Sequence, residues 1–229
     1  GGNGIESIDD KSPTAWEESW DGIAAGDGLT TTGSQNVFTY TNTIAGFGVN
    51  IAHDTEIDDA RTADGAVSSN ATTNVDGSST SFAITNATLV DGLSFGAGYG
   101  ETDVKDGSTT TTDVETVIGF ANYTMGPVTI GYTQGEQSGG TKGSDMHEME
   151  AMGIAFAVNE NLSISYNNHE VTYAKTAGNV DQSSDKDGIA IAYSMGGASI
   201  KIQNNETDGS STSNTLVEDR TEVNLSLAF

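Results

Sequence analysis

The sequence predicts an all-β chain, an antiparallel up-and-down transmembrane β-barrel. Three observations predict it. The last seven residues set apolar Val223, Leu225, Leu227 and Phe229 in strict alternation with Asn224, Ser226 and Ala228, the period of two of a strand with one apolar and one polar face. The connections between such segments alternate between short and long. Only 34% of the 229 residues are hydrophobic. That is thin for a buried core, but it suits a barrel with lipid on one face and water on the other. No apolar run reaches about 18 residues, so no spanning helix is expected.

Residues 1–34 come first and carry no period of two. Both tryptophans lie here, in Ser12-Pro13-Thr14-Ala15-Trp16-Glu17-Glu18-Ser19-Trp20. Ser12 fits an N-cap and Pro13 the first helical position, so a short helix over 13–20 is expected. Glu6, Asp9, Asp10, Glu17, Glu18 and Asp21 surround it, with Lys11 the nearby base.

From residue 35 onward strands and breakers alternate. The pattern predicts strands near 36–43, 47–54, 80–89, 93–102, 113–124, 128–137, 146–158, 162–173, 187–194, 198–207 and 216–229. Short connections fall at Ile44-Ala45-Gly46, Val90-Asp91-Gly92, Met125-Gly126-Pro127, Asn159-Glu160-Asn161 and Met195-Gly196-Gly197, with the Gly, Asn and Asp that tight hairpins require. Long ones fall at 55–79, 103–112, 138–145, 174–186 and 208–215, rich in Ser, Thr, Gly, Asp and Asn. Short turns on one rim and long loops on the other mark an up-and-down barrel.

A weak internal repeat fixes the phase. Tyr123 to Ile130 parallels Tyr193 to Ile200, each a strand end, a tight turn and a new strand. Ile189, Ile191, Tyr193, Ile200, Ile202, Leu225 and Leu227 are then expected outside, with Ala190, Ala192, Lys201 and Gln203 inside. Likewise Leu93, Phe95, Ala97 and Tyr99 point outward, as do Met152, Ile154 and Phe156. Tyr40, Tyr123, Phe156, Tyr193 and Phe229 lie near short turns or the C-terminus and are expected to form an aromatic girdle at the membrane interface.

The charge bounds function. Thirty-three acidic and 8 basic residues leave a formal net charge of −25, which argues against nucleic-acid binding and reads first as a solvated, soluble exterior and second as a field that favours cations. No cysteine is present, so no thiol chemistry is available. His53, His147 and His169 lack metal-ligand spacing, and no Gly-x-Ser-x-Gly turn stands between a strand and a helix. No catalytic residue, metal or cofactor is assigned.

The stretch from Gly1-Gly2-Asn3-Gly4 through its acidic cluster to Trp16 and Trp20 resembles the constriction loop of general bacterial outer-membrane porins of the alphaproteobacterial type. That resemblance implies a sixteen-stranded barrel in which residues 1–34 fold inward and residues 35–229 supply about eleven strands, with the first five strands lacking. It implies a homotrimer in the bacterial outer membrane, in contact with membrane lipid and lipopolysaccharide. The expected function is passive diffusion of small hydrophilic solutes and ions, with a preference for cations and no enzymatic activity. Pore-lining carboxylates would come from Glu6, Asp9, Asp10, Glu17, Glu18 and Asp21. By strand parity Lys201 and Arg220 fall on the polar wall, where they either supply part of a field across the pore or form lumenal salt bridges to neighbouring acids. Trp16 and Trp20 would anchor the loop. Two other readings remain at this stage: a cell-surface or secreted β-sandwich binding module, and an outer-membrane barrel enzyme.

Overall fold

The computed structural model describes residues 5, 8, 11–17, 37–54, 78–103, 113–139, 147–173, 181–210 and 213–227. Eleven strands form one antiparallel sheet in sequence order. They are β1 Val37–Ile44, β2 Phe47–Asp54, β3 Ser79–Val90, β4 Leu93–Thr102, β5 Val114–Met125 and β6 Val128–Ser138, followed by β7 His147–Asn159, β8 Leu162–Tyr173, β9 Gln182–Met195, β10 Ala198–Ser210 and β11 Ser213–Leu227. Each pairs only with its sequence neighbours, so β1 and β11 are the two edges and the sheet is not closed. This is the up-and-down order read from the connection lengths, and two face-packed sheets do not occur among the described residues.

The tight turns join β1–β2, β3–β4, β5–β6, β7–β8 and β9–β10 on one rim. At the first, Ala45 and Gly46 take φ of 52° and 84°, the two successive left-handed residues of a turn whose twist matches its flanking strands. On the opposite rim two predicted loops are shorter than expected. The predicted loop 174–186 gives way to strand from Gln182, and 208–215 gives way to ladder that runs to Ser210 and resumes at Ser213. Their Ser, Thr, Asp and Gly composition reads as loop. In the first of them burial outweighs it, since Ser184 and Lys186 are fully buried.

Register divides the side chains into two faces. Leu162, Tyr193, Ile200 and Leu225 are successive partners across β8 to β11, and Ile164, Ile191, Ile202 and Val223 form the next apolar row. These residues share the outer face with exposed Ile154, Met152, Tyr132 and Ile189. The other face is mostly small or polar, with buried Ser79, Ser81, Thr116, Thr133, Ser165, Asn167 and Gln203, apart from an apolar cluster of Ile118, Phe120, Met149, Val171 and Tyr173. An inverted pattern of this kind, apolar outside and polar inside, is that of a membrane barrel.

Candidate functional site

The N-terminal segment lies on the polar inner face and crosses several strands. The Ile5 amide donates to Ser81 Oγ on β3 (3.4 Å). Asn122 Nδ2 on β5 donates to the Lys11 carbonyl (2.6 Å), and Asn167 Nδ2 on β8 donates to the Pro13 carbonyl (2.9 Å). The Ala15 amide donates to Ser165 Oγ on β8 (2.8 Å). Farther on, Lys201 Nζ on β10 sits 5.8 Å from the centre of the Trp16 ring, within range of a cation–π attraction.

Apolar contacts seat the same segment. Ile5 and Ile8 are buried with Ala83, Ile118, Phe120, Met149, Val171 and Tyr173, a small core inside the barrel wall. It requires missing side chains on the wall. A Cβ at Gly98 would stand 2.9 Å from Ile8 Cδ1 and 3.0 Å from Ile5 Cγ1. One at Gly153 would stand 2.9 Å from both Cδ and the carbonyl oxygen of Pro13, closer than packed carbon atoms tolerate. Gly131 opens the wall to Pro13 in the same way.

The helix expected over 13–20 is corrected where it is described. Pro13–Glu17 runs as coil and bends. Thr14 Oγ1 accepts the Trp16 amide and donates to the Glu17 carbonyl (2.7 Å), while Ser165 takes the Ala15 amide. Such local side-chain bonds offer the backbone an alternative to helix. Residues 18–20 of that helix lie outside the described residues.

Of the carboxylates expected at the constriction, Glu17 is described and half-buried on this segment. Glu6, Asp9, Asp10, Glu18 and Asp21 lie outside the described residues, as does Trp20. The wall pair is placed: Lys201 partners Asn224, and Asn205 partners Arg220, so both bases stand on the inner face. Arg220 forms an ion pair with Glu222 at 2.5 Å. Tyr40, Tyr123, Phe156 and Tyr193 are all on the outer face and exposed. Phe229 lies outside the described residues.

Three features escape the sequence reading. Lys186, between Asp185 and Asp187, points inward and is fully buried. It belongs to a row in which His169, Lys186, Thr207 and Glu218 are successive partners on β8 to β11. The outer face, by contrast, carries acids toward the long-loop rim. Glu101 faces Glu115, Glu136 faces Glu148, and Glu150, Glu170, Asp185 and Asp208 form one continuous row. Near that rim the carboxylate oxygens of Glu101, Asp103 and Asp113 gather within 4.8 Å of one another. Sequence separation hides this gathering, because 103 and 113 sit on either side of a long connection.

No protein-family profile matches the chain, and no curated protein matches it in sequence. Solved structures do match in fold. One is a loop L8 deletion mutant of OmpT, an outer membrane protein of Vibrio cholerae, with TM-score 0.54 and 15% identity over 83% of this chain and 62% of that one. Outer-membrane expressed OmpT of Vibrio cholerae matches with TM-score 0.55 and 15% identity, over 82% of this chain and 61% of that one. An in-vitro folded OmpT described as a trimer form matches with TM-score 0.53 and the same identity and coverage. The chain spans about three fifths of the length of these structures.

The chain has the fold of an outer-membrane β-barrel. That fold and its apolar outer face place it in the bacterial outer membrane, and the sandwich reading falls away. The expectation that the chain is not an enzyme is corrected as well. It resembles barrels named OmpT, and at 15% identity the likeness shows fold alone. A shared barrel carries either transport or catalysis according to the side chains grafted on it, so the exclusion of catalysis is withdrawn.

Proposed function

We propose that this chain is the larger part of a general porin, a water-filled diffusion channel for small hydrophilic solutes and ions. The single observation that supports it best is the N-terminal segment bonded across the polar inner face, from Ser81 on β3 to Ser165 on β8. A segment held against the inner wall narrows a pore without filling it. Residues 1–34 act as the constriction, and residues 35–229 supply eleven strands of a sixteen-stranded, trimeric barrel. The trimer form among the OmpT structures supports that assembly.

Selectivity comes from charge across the constriction. Glu6, Asp9, Asp10, Glu17, Glu18 and Asp21 form the acidic side and Lys201 and Arg220 the basic side, with the acidic side dominant and cations preferred. Tyr40, Tyr123, Phe156, Tyr193 and Phe229 form the interfacial girdle on the short-turn side. The test is reversal potential in a salt gradient across a planar bilayer holding the full-length protein. Neutralising Glu17 and Glu18 together shifts the potential toward anions. An unchanged potential shows that these carboxylates do not line the ion path, and absence of any conductance by the folded protein overturns the channel reading.

A further inference from the structure

A groove crosses the outer face between two rows of side chains. One row runs through Tyr123, Ile130, Ile154 and Tyr166, and the next through Ala121, Tyr132 and Met152. The groove encloses about 460 Å³ and its lining is almost wholly apolar. Its floor is low for two reasons. Ala121 offers one methyl where its row neighbours are Phe95 and Tyr132, and Gly131 and Gly153 expose bare backbone between the rows.

One wall is held upright. Tyr166 donates its hydroxyl to Asp187, which lies nearer the long-loop rim than the tyrosine it holds. The ring is tied at its polar tip, so it stands as a wall and does not fold over Ala121. An apolar groove with a wall fixed before binding holds an apolar guest at a smaller entropic cost.

Position selects the guest. The groove is continuous with the apolar band that meets lipid in a barrel. Tyr123 stands two residues from Met125, the last residue of β5, so the groove opens on the short-turn side. In outer-membrane barrels the short turns are periplasmic, and the leaflet on that side is phospholipid. We infer that this groove seats one acyl chain of a phospholipid from the periplasmic leaflet, as a retained lipid and not as passing solvent.

The test uses full-length protein refolded into phosphatidylethanolamine–phosphatidylglycerol vesicles, extracted in mild detergent and examined by native mass spectrometry. About one phospholipid per chain is expected to survive extraction from the groove, and Ala121→Phe, which fills it, lowers that occupancy about tenfold. Ala97→Phe, at an outward position beyond the groove, leaves it unchanged. Tyr166→Phe, which frees the ring from Asp187, lowers it by a smaller factor. Folding of each variant is read separately from heat-modifiable gel migration, and Tyr166→Phe carries the test if Ala121→Phe does not fold. Equal retention in all variants means ordinary boundary lipid and overturns the inference. So does retention of lipopolysaccharide in place of phospholipid when both are supplied, or dissociation of the oligomer by Ala121→Phe, which makes a second copy of the chain the occupant.

Discussion

Gly153→Val tests whether the inner wall sets the position of the N-terminal segment. Valine brings a Cβ to 2.9 Å from Pro13 Cδ and 2.6 Å from Asn167 Nδ2, and its two methyl groups need more room still. Overpacking of this kind costs about 1–3 kcal/mol. Against it stand the hydrogen bonds from Asn122 to Lys11, from Asn167 to Pro13 and from Ala15 to Ser165, each worth about 0.5–1.5 kcal/mol net. The two sums are comparable, so the segment shifts while the strands stay paired. The Asn167–Pro13 bond breaks first, because the new side chain meets both of its ends. The expected result in a planar bilayer is an altered single-channel conductance, with more open-channel noise and unchanged heat-modifiable migration on a gel. Asn167→Ala alone increases the noise without the steric push. Conductance and noise identical to the parent protein would refute the idea that Pro13 rests on this wall.

Three further outcomes are expected. Ile191→Lys on the outer face costs up to about 2–4 kcal/mol, depending on its depth, and Ala192→Lys on the inner face costs much less. Urea unfolding from vesicles, followed by gel migration, separates the two, and equal costs contradict the assigned faces. Glu170→Gln relieves repulsion from Glu150 and Asp185, its direct partners, and stabilises the sheet by about 0.2–1 kcal/mol for each pair. That gain shrinks as salt rises from about 0.01 to 1 M, and a salt-independent gain points to packing instead. Chemical crosslinking of full-length protein in mild detergent yields trimers, whereas monomers alone count against the proposed assembly.

Much of the fold was legible because barrel strands announce themselves by alternation. In β10, Ile200 and Ile202 alternate with Ser199, Lys201 and Gln203, and the register follows from the turn at Gly196 and Gly197. The small inner core was not legible. In β5, Ile118 and Phe120 point inward while Val117, Ala121 and Tyr123 point outward, so both faces are apolar and the period of two vanishes. Only the seat of Ile5 and Ile8 explains those inward residues, and the pairing spans more than a hundred positions. Lys186 was hidden for another reason. Flanked by Asp185 and Asp187 in a polar run, it reads as a solvated loop until the ladder with Thr207 and His169 shows its phase. The loss of the expected helix is also a tertiary effect, since Ser12 and Pro13 are sound helix-start residues and Ser165 lies 150 positions beyond Ala15.

The placement of charge changes how the net value of −25 bears on selectivity. On β4 to β11 the outward positions hold Glu101, Glu115, Glu136, Glu148, Glu150, Glu170, Asp185, Asp187, Glu206, Asp208 and Asp219, and no Lys or Arg. The inward positions of the same strands hold Lys186, Lys201 and Arg220 against Glu218 and Glu222. Most of the strand acidity therefore faces away from any pore, and the wall itself is close to neutral or slightly basic. Outward carboxylates at the long-loop rim are separated from the inner face by the sheet and screened over about 10 Å at 0.1 M salt. In the proposed channel they would contribute to attraction at the mouth more than to discrimination inside. In the proposed channel a cation preference then rests on the acids assigned to the constriction, of which Glu17 is the described one. This arrangement makes selectivity sensitive to few groups. Neutralising Glu17 and Glu18 is expected to move the reversal potential far more than neutralising Glu150 and Glu170, although both pairs change the net charge by the same amount. Equal shifts from the two pairs would mean that overall charge, and not the inner segment, governs which ions pass.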